Sequence, residues 1–194
     1  MVADVAVVAG AYLLGSFSFG LFAARWYGQA NLRERGSGNI GATNVARTVG
    51  RMPALITLLG DSAKGCVAVL LAQWWGASLI VTALVALAAV LGHMFPVYHR
   101  FQGGKGVATS LGVMIPLLPW PTLGAVAVWM AVTLSLRYVS VASMLAALVV
   151  PLLALLRGDP PPFVMAATVA ALLILGAHRG NLQRLMQGTE SRLW

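Results

Sequence analysis

Apolar residues fill long runs of the chain, and polar residues gather in the stretches between those runs. The runs lack the alternation of apolar and polar positions that marks a barrel strand, and most approach the roughly 20 residues that a membrane helix needs. We therefore predict an all-α integral membrane protein with seven transmembrane helices, forming one domain over residues 1–194. The predicted spans are 2–24, 53–73, 77–97, 106–119, 120–136, 138–156 and 160–177.

Two of these runs need separate interpretation. The first carries Asp4 where a signal peptide carries a basic residue, so we interpret it as a retained span with its N-terminus outside. The fourth is short and ends in the turn-forming stretch PLLPWP, from Pro116 to Pro121. We interpret 106–119 and 120–136 as two short helices joined at the outer face, and a single broken or re-entrant element is the alternative.

Composition supports lipid as the surrounding solvent. Charged residues make up 9% of the chain, whereas soluble proteins carry about 25%. The net charge of +8 would suggest a nucleic-acid partner in a soluble protein. In a membrane protein the basic residues set topology instead, and we expect no nucleic-acid partner. Cys66 is the single cysteine, which excludes an intrachain disulfide and argues against a cysteine-based metal site.

The basic residues are distributed asymmetrically over the predicted loops. With the N-terminus outside, eleven of the 13 Lys and Arg residues fall on the cytoplasmic side, while Arg157 falls outside and Lys64 lies within a span. The glycine-rich polar stretches 33–51, 99–106 and 178–192 all lie on that same side. We therefore expect a cytoplasmic C-terminus and an active site at the cytoplasmic face.

The first polar stretch, RGSGNIGATNVAR from Arg35 to Arg47, contains the pattern G-x-G-x-x-G. That pattern marks a dinucleotide site only after a buried strand, and here the residues WYGQANLRE precede it. Glycine amides, neutral side-chain donors and an arginine can nevertheless surround a phosphate. A flexible turn is the structural alternative. The candidate residues are Gly36, Ser37, Gly38, Asn39, Gly41, Thr43, Asn44 and Arg47.

The second stretch, FQGGKGVATSLG from Phe101 to Gly112, surrounds Lys105 with glycines at the start of a predicted span. A helix N-terminus favours an anion, and the lysine adds a positive charge. An interfacial lysine that snorkels is the alternative. The glycines are Gly103, Gly104 and Gly106.

The third stretch, HRGNLQRLMQGTESR, follows the last predicted span directly. His178 and Asn181 share a helix face if the helix continues, and His178 could act as a general base or as a phosphate donor. Glu190 could pair with an arginine and hold the tail in place. A purely structural histidine is the alternative.

Ionisable groups also occur within the spans. Asp61 and Lys64 are spaced i, i+3, and we expect them to form a mutually satisfied pair that supports the site. His93 and His99 flank the end of the third span, where we expect them to pack or hydrogen-bond.

Together these stretches resemble the bacterial acyl-phosphate:glycerol-3-phosphate acyltransferase family, PlsY. The resemblance covers nearly the whole chain and is carried by GSGNIGATNVAR, FPVYHRFQGGKGVATSLG and HRGNLQRLMQGTESR, with DSAKG in the second span. It implies seven spans and transfer of an acyl group from acyl phosphate to the 1-hydroxyl of sn-glycerol 3-phosphate. The implied products are lysophosphatidic acid and inorganic phosphate, the first step of bacterial phospholipid synthesis, and no cofactor or metal is needed.

On this resemblance we assign three groups of site residues. The catalytic and acceptor-binding group is Ser37, Arg47, Lys105, His178 and Asn181; the group binding acyl phosphate and the developing oxyanion is Gly38, Asn39, Gly41, Thr43, Asn44, Gly103, Gly104 and Gly106; the supporting group is Asp61, Lys64 and Glu190. We expect a monomer in the bacterial cytoplasmic membrane, surrounded by lipids. A transporter of a phosphorylated solute is the alternative function, although it would place polar groups on both faces.

Overall fold

The computed structural model describes residues 2–29 and 31–193, and every regular element in those ranges is helical. The helices are α1 Val2–Ser16, α2 Phe19–Trp26, α3 Ala42–Thr48, α4 Arg51–Trp74, α5 Leu79–Met94, α6 Val107–Leu117, α7 Pro119–Leu136, α8 Val139–Arg157, α9 Pro161–Ala177 and α10 Arg179–Met186. Two 3-10 turns, Leu32–Glu34 and Val97–His99, lie between them. The predicted all-α class is confirmed. The short helices α3 and α10, inside the polar stretches, were not predicted.

Five helical segments in the described ranges are long and apolar enough to cross a membrane, and a sixth is counted if α9 and α10 form one bent span. The predicted span 106–119 is the one missing from this count, because it corresponds to α6, which has only 11 residues. At 1.5 Å per residue this helix is about 16 Å long, roughly half the thickness of the hydrocarbon core. The count of seven spans therefore stays a prediction.

The chain forms two compact units, one up to Pro116 and the other from Leu117 onward. That residues 1–194 form one domain stays a prediction. The first unit contains α1 to α6 and both glycine-rich stretches. The second contains α7 to α10 and the polar C-terminal stretch.

In the first unit the predicted first span is interrupted between α1 and α2. Ser18 caps α2, because its hydroxyl accepts the Leu21 amide at 3.2 Å. This leaves the Phe17 carbonyl without its helical donor, and the ammonium of Lys64, in α4, donates to it at 2.6 Å. A buried lysine therefore binds the carbonyl that the helix break exposes. The apolar pattern of the first run does not predict this contact.

Small residues let the helices of the first unit approach closely. A Cβ at Gly15 or Gly92 would collide with the backbone of the facing helix, α5 or α1 respectively. A Cβ at Gly20, in α2, would collide with the carbonyl of Ile40 in the first glycine-rich stretch. Packing through small residues is typical of helices in lipid, and it seats this stretch directly on α2.

In the second unit α7, α8 and α9 pack in sequence, and the chain bends by 52° between α9 and α10. The segment after α10 returns to the start of α8. There the Leu193 amide donates to the Arg137 carbonyl at 2.8 Å, and the Arg192 guanidinium lies 5.4 Å from the centre of the Tyr138 ring.

Candidate active site

The first glycine-rich stretch folds around one buried side chain, that of Asn44 in α3. Its carbonyl oxygen accepts the Ser37 amide at 2.9 Å. Its amide nitrogen donates to the carbonyls of Asn39 at 2.8 Å and Arg35 at 3.1 Å. Both amide protons are thus committed to the backbone. Asn44 shapes the loop and is only 3% exposed, and its expected contact with substrate stays a prediction.

Two glycines in this loop are required by its close backbone contacts. Gly36 and Gly38 adopt φ values of +58° and +70°, a region that other residues occupy at a cost. A Cβ at Gly36 would collide with the Asn44 side chain, and one at Gly38 would approach the Arg33 carbonyl to 2.9 Å. The loop conformation therefore depends on these glycines irrespective of any ligand.

The amides of Gly38 and Gly41 are both engaged inside the loop. Gly38 donates to the Arg35 carbonyl at 3.0 Å, and Gly41 donates to the Asn39 side chain at 2.8 Å. That these two amides donate to a phosphate stays a prediction. Two polar side chains of the stretch, Ser37 and Arg47, are exposed, and two others, Asn39 and Thr43, are half-buried.

The second glycine-rich stretch is fastened to the end of α5. The Gly103 amide donates to the Met94 carbonyl and the Gly104 amide to the His93 carbonyl, both at 3.1 Å. These amides are therefore hydrogen-bonded within the protein, and their contact with a phosphate stays a prediction. Lys105 follows as a half-buried residue before the start of α6.

A strained turn leads into this second loop. Arg100 and Phe101 have φ values of +54° and +59°, a left-handed conformation that is unusual for residues other than glycine. Strain of this kind persists only where surrounding contacts hold it, and it is concentrated at functional sites. The turn directs the chain back onto α5, where the loop amides are bound.

A side-chain bridge joins the two glycine-rich stretches. The Arg33 guanidinium donates to the Gln102 side-chain oxygen at 2.7 Å and to the Gln102 carbonyl at 2.5 Å. Arg33 also supplies the carbonyl over which Gly38 is packed. The structure therefore brings the first and second stretches together. No local pattern predicts this bridge, because its partners lie 69 residues apart in the chain.

A buried ionic cluster occupies the interior of the first unit. The expected i, i+3 pair is present, with Lys64 Nζ 2.8 Å from Asp61 Oδ1 and both side chains 1% exposed. His93, in α5, joins the pair through Nδ1, which lies 3.0 Å from Lys64 Nζ. Sequence reasoning placed His93 at an interface but did not connect it to the pair.

His178 lies at the bend between α9 and α10 and is 3% exposed. Its Nδ1 lies 2.8 Å from the Ile174 carbonyl. A carbonyl can only accept, so Nδ1 carries the proton and, in the neutral ring, Nε2 carries the lone pair. The expected face shared with Asn181 is interrupted by the bend, but both residues are buried at the start of α10.

Glu190 binds three donors from different parts of the second unit. Its Oε1 accepts from Ser140 at 2.7 Å and from Asn181 at 2.5 Å, and its Oε2 accepts from Arg184 at 2.8 Å. The expected pairing with an arginine is therefore present. Burial alone would raise the pKa of Glu190, but the hydrogen bonds from these three residues and the charge of Arg184 outweigh it. The pKa of Glu190 consequently lies below its ordinary value.

Metal chemistry has no visible ligand set in the described ranges. No group of three His, Cys, Asp or Glu side chains lies close enough together there to hold a metal ion. The chemistry of the candidate residues is that of anion binding: an arginine, a lysine, hydroxyl groups and amides.

Comparison with known proteins identifies the class. The family model described as glycerol-3-phosphate acyltransferase matches residues 5–188. A glycerol-3-phosphate acyltransferase of Trichlorobacter lovleyi is 46% identical over 192 residues, with 99% of this chain and 98% of the relative covered. Another, of Ralstonia pickettii, is 43% identical over 197 residues, with 100% and 95% covered. The chain belongs to the glycerol-3-phosphate acyltransferase family.

Two solved structures narrow this class to PlsY. A crystal structure of PlsY (YgiH), an integral membrane glycerol 3-phosphate acyltransferase in its glycerol 3-phosphate form, superposes with a TM-score of 0.94 at 41% identity. The alignment covers 98% of this chain and 95% of that one. The lysophosphatidic acid form of PlsY superposes with a TM-score of 0.91 at 39% identity. The family resemblance predicted from the sequence is confirmed. This result favours acyl transfer over transport, the alternative function.

Proposed function

We propose that this chain transfers a fatty acyl group from acyl phosphate to the 1-hydroxyl of sn-glycerol 3-phosphate. The products are lysophosphatidic acid and inorganic phosphate, in the first step of bacterial phospholipid synthesis. The observation that carries this proposal is the Arg33–Gln102 bridge, at 2.7 Å and 2.5 Å. It joins the stretch bearing Arg47 to the loop bearing Lys105, and these two cationic side chains are the ones we assign to the phosphate of glycerol 3-phosphate.

The printed names of the similar crystal structures support both ends of this reaction. One PlsY structure is described as its glycerol 3-phosphate form and the other as its lysophosphatidic acid form. Glycerol 3-phosphate is the proposed acceptor, and lysophosphatidic acid is the proposed product. The donor is argued from chemistry: acyl phosphate is already activated, so the enzyme mainly aligns groups and neutralises charge.

We propose the following residue roles. We assign Ser37, Arg47, Lys105, His178 and Asn181 to glycerol 3-phosphate, with Asn181 oriented by the Glu190 carboxylate. The side chains of Asn39 and Thr43 and the Lys105–Gly106 part of the second loop serve the acyl phosphate and the developing oxyanion. Loop-shaping roles go to Asn44 and to four glycines whose amides are hydrogen-bonded within the protein: Gly38, Gly41, Gly103 and Gly104.

The reaction needs one bond to form and one to break. The 1-hydroxyl oxygen of the acceptor bonds to the acyl carbonyl carbon, and the bond between that carbon and the phosphate oxygen breaks. The hydroxyl proton ends on the departing phosphate, either by direct transfer or through Nε2 of His178. The two routes differ experimentally: direct transfer leaves kcat of His178→Ala nearly normal at saturating substrate, whereas the histidine route lowers it by about 100-fold or more.

For the membrane arrangement we propose seven spans, with an outside N-terminus, a cytoplasmic C-terminus and the active site at the cytoplasmic face. The positive-inside distribution of eleven among 13 basic residues supports this orientation. A monomer in the bacterial cytoplasmic membrane is the proposed functional form. Water-soluble glycerol 3-phosphate then enters from the cytoplasm while the acyl chain stays among the helices.

The test is an assay of the purified, detergent-solubilised protein with palmitoyl phosphate, with and without sn-glycerol 3-phosphate. We expect phosphate release that depends on the acceptor, together with an equal amount of lysophosphatidic acid. Arg47→Ala should lower this activity by about 100-fold or more, because a charge-assisted phosphate contact is lost at the site of transfer.

Arg51→Ala is the matched control. It removes an exposed arginine at the start of α4 to which no substrate role is assigned, and it should retain most of the activity. Failure of the folded, lipid-supplemented wild-type protein to release phosphate in response to the acceptor would contradict the proposed donor. Equal losses in the two arginine variants would contradict the role of Arg47.

A further inference from the structure

Asp61, Lys64 and His93 form a buried cluster in the first unit, and the proposed reaction gives His93 no role. Lys64 Nζ donates to the Phe17 carbonyl at 2.6 Å, lies 3.0 Å from His93 Nδ1 and forms an ion pair with Asp61, whose Oδ1 is 2.8 Å away. His93 Nδ1 also lies 3.5 Å from Asp61 Oδ1, a distance too long for a well-formed hydrogen bond. Lys64 is therefore the partner that orients the imidazole.

This bond fixes the tautomer of His93. A charged lysine can only donate, so Nδ1 accepts, and the neutral ring carries its proton on Nε2. The ring is 4% exposed, lies near the end of α5 and is tied at one edge. It consequently cannot turn away without breaking its bond to a buried charge.

The free edge of this ring packs against Gly104, in the second glycine-rich loop. The position that a Cβ would take on Gly104 is occupied by His93 Nε2, with Cε1 at 3.0 Å and Cδ2 at 3.2 Å. The Gly104 amide also donates to the His93 carbonyl at 3.1 Å. His93 thus contacts Gly104 through both its backbone and its side chain, directly before Lys105.

The same lysine is connected to the first glycine-rich stretch. Its bond to the Phe17 carbonyl holds the break that starts α2. Gly20 of α2 packs on the Ile40 carbonyl so closely that a Cβ would collide with it. The Lys64 ammonium is therefore linked to both glycine-rich stretches. It is linked to the second through His93 and to the first through α2.

We propose that His93, oriented by Lys64, is a positioning residue of the acyltransferase: its imidazole sets the place of Gly104 and so of the loop that carries Lys105. The inference rests on the proposed function, because the loop is taken to bind substrate. His93 itself is assigned no contact with substrate and no proton transfer.

The test is a rescue experiment with Gly104→Ala and His93→Asn, alone and combined. A methyl group on Gly104 must displace the loop, because the anchored ring fills its place, and we expect kcat/KM for glycerol 3-phosphate to fall by about 100-fold, the effect of a displacement of roughly 1 Å. Asparagine keeps an oxygen at the position of Nδ1 for Lys64 but removes the outer ring atoms. His93→Asn alone should cost about tenfold, and the double variant should be more active than Gly104→Ala.

Gly103→Ala is the matched control, one residue earlier in the same loop. Its Cβ would collide with the backbone carbonyls of His93 and Met94, not with the imidazole. His93→Asn should therefore rescue Gly104→Ala but leave Gly103→Ala as inactive as before. A general loosening of the protein would affect both alanine variants alike, so the difference between them separates positioning from stability.

The outcomes are distinct from those of the proposed function. If the wild-type protein shows no acyl transfer, the function fails and the rescue has no readout in activity. The melting temperature then reports it instead: His93→Asn should raise the melting temperature of Gly104→Ala but not that of Gly103→Ala. An active wild type with losses that multiply in the His93→Asn/Gly104→Ala double variant would overturn the proposal. Rescue of Gly103→Ala to the same degree would also overturn it. A thermal melt of each purified variant identifies any that fail to fold.

Discussion

The stretch from Gly36 to Asn44 and the segment from His178 to Glu190 are each organised by one side chain, but the two side chains have different chemistry. Asn44 is a neutral amide that satisfies backbone groups, with contacts of 2.8 to 3.1 Å to Asn39, Ser37 and Arg35. Glu190 is a carboxylate that collects side-chain donors. The first segment therefore depends on shape and the second on charge.

This difference predicts how each segment responds to substitution of its central side chain. A buried amide with both its protons used tolerates no replacement by an acceptor, since two carbonyls would then face another oxygen. A carboxylate bound by three donors retains part of its network when one donor is lost, but it depends on remaining ionised. Substitutions at the two centres should consequently differ in size and in their dependence on pH.

The largest effect is expected from Asn44→Asp, which preserves the shape and removes the two donors. The carbonyls of Arg35 and Asn39 would face a carboxylate in a buried position, at a cost of about 3 kcal/mol or more. We expect at least a 100-fold loss of acyl transfer and a lower melting temperature in detergent.

Asn31→Asp is the control for this substitution. It makes the same chemical change at an exposed asparagine whose side chain makes no capping hydrogen bond. It should leave both activity and melting temperature near those of the wild type. An Asn44→Asp protein that retained normal turnover would show that the loop does not depend on this amide.

A smaller effect is expected from Glu190→Gln. The glutamine oxygen can still accept from Asn181 and Ser140, but its amide group would face the Arg184 guanidinium, which is itself a donor. The loss of one charge-assisted bond to a partly exposed arginine should cost about 1–2 kcal/mol and lower activity by roughly tenfold. Glu34→Gln, at an exposed carboxylate, should change neither activity nor melting temperature. Equal behaviour of the two variants would argue against a bracing role for Glu190.

The pH dependence should separate the two centres further. The pKa of Glu190 is lowered in the folded state, so its contribution to stability is complete above its unfolded pKa of about 4.3 and is lost as pH falls through the folded value. Wild-type melting temperature should therefore fall more steeply than that of Glu190→Gln when the pH is lowered below about 4.5. The measurement is a series of thermal melts from neutral to acidic pH. Parallel curves for the two proteins would contradict the ionised clamp.

The smallest effect is expected from Ser140→Ala, which removes one neutral donor from the Glu190 carboxylate. About 1 kcal/mol of stability and roughly 2–4 °C of melting temperature should be lost, because the donors from Asn181 and Arg184 remain. Ser135→Ala is matched, since that hydroxyl bonds only to backbone carbonyls of its own helix. A loss as large as that in Glu190→Gln would mean that Ser140, rather than the charge of Arg184, dominates the clamp.

The sequence predicted those parts of the site that depend on local spacing. Asp61 and Lys64 form their expected pair because i, i+3 positions share a helix face, and the pairing of Glu190 with an arginine joins residues 6 positions apart. The contact of His93 with Lys64 was not predicted, because the two residues lie 29 positions apart. The helical class followed from the apolar runs, whereas the α1–α2 break depends on Ser18 and on the distant Lys64.

The roles of the glycine-loop groups could not be assigned from sequence for a physical reason. An asparagine or a glycine amide in a polar loop has the same chemistry whether it donates to a ligand or to the loop itself. The pattern around Asn44, Gly103 and Gly104 is the same whether their N–H groups bind a phosphate or the protein. The structure shows that these N–H groups donate to backbone carbonyls. The exposed groups, such as Arg47, remain the better candidates for substrate.

The most direct test of the account is a comparison of acyl donors with one purified preparation. Lysophosphatidic acid and phosphate would be quantified together, with glycerol 3-phosphate as acceptor and either palmitoyl phosphate or palmitoyl-coenzyme A as donor. We predict one phosphate released for each lysophosphatidic acid formed from palmitoyl phosphate, and no product from the coenzyme A ester. Product formation from the coenzyme A ester at a comparable rate would contradict the claim that acyl phosphate is the specific donor.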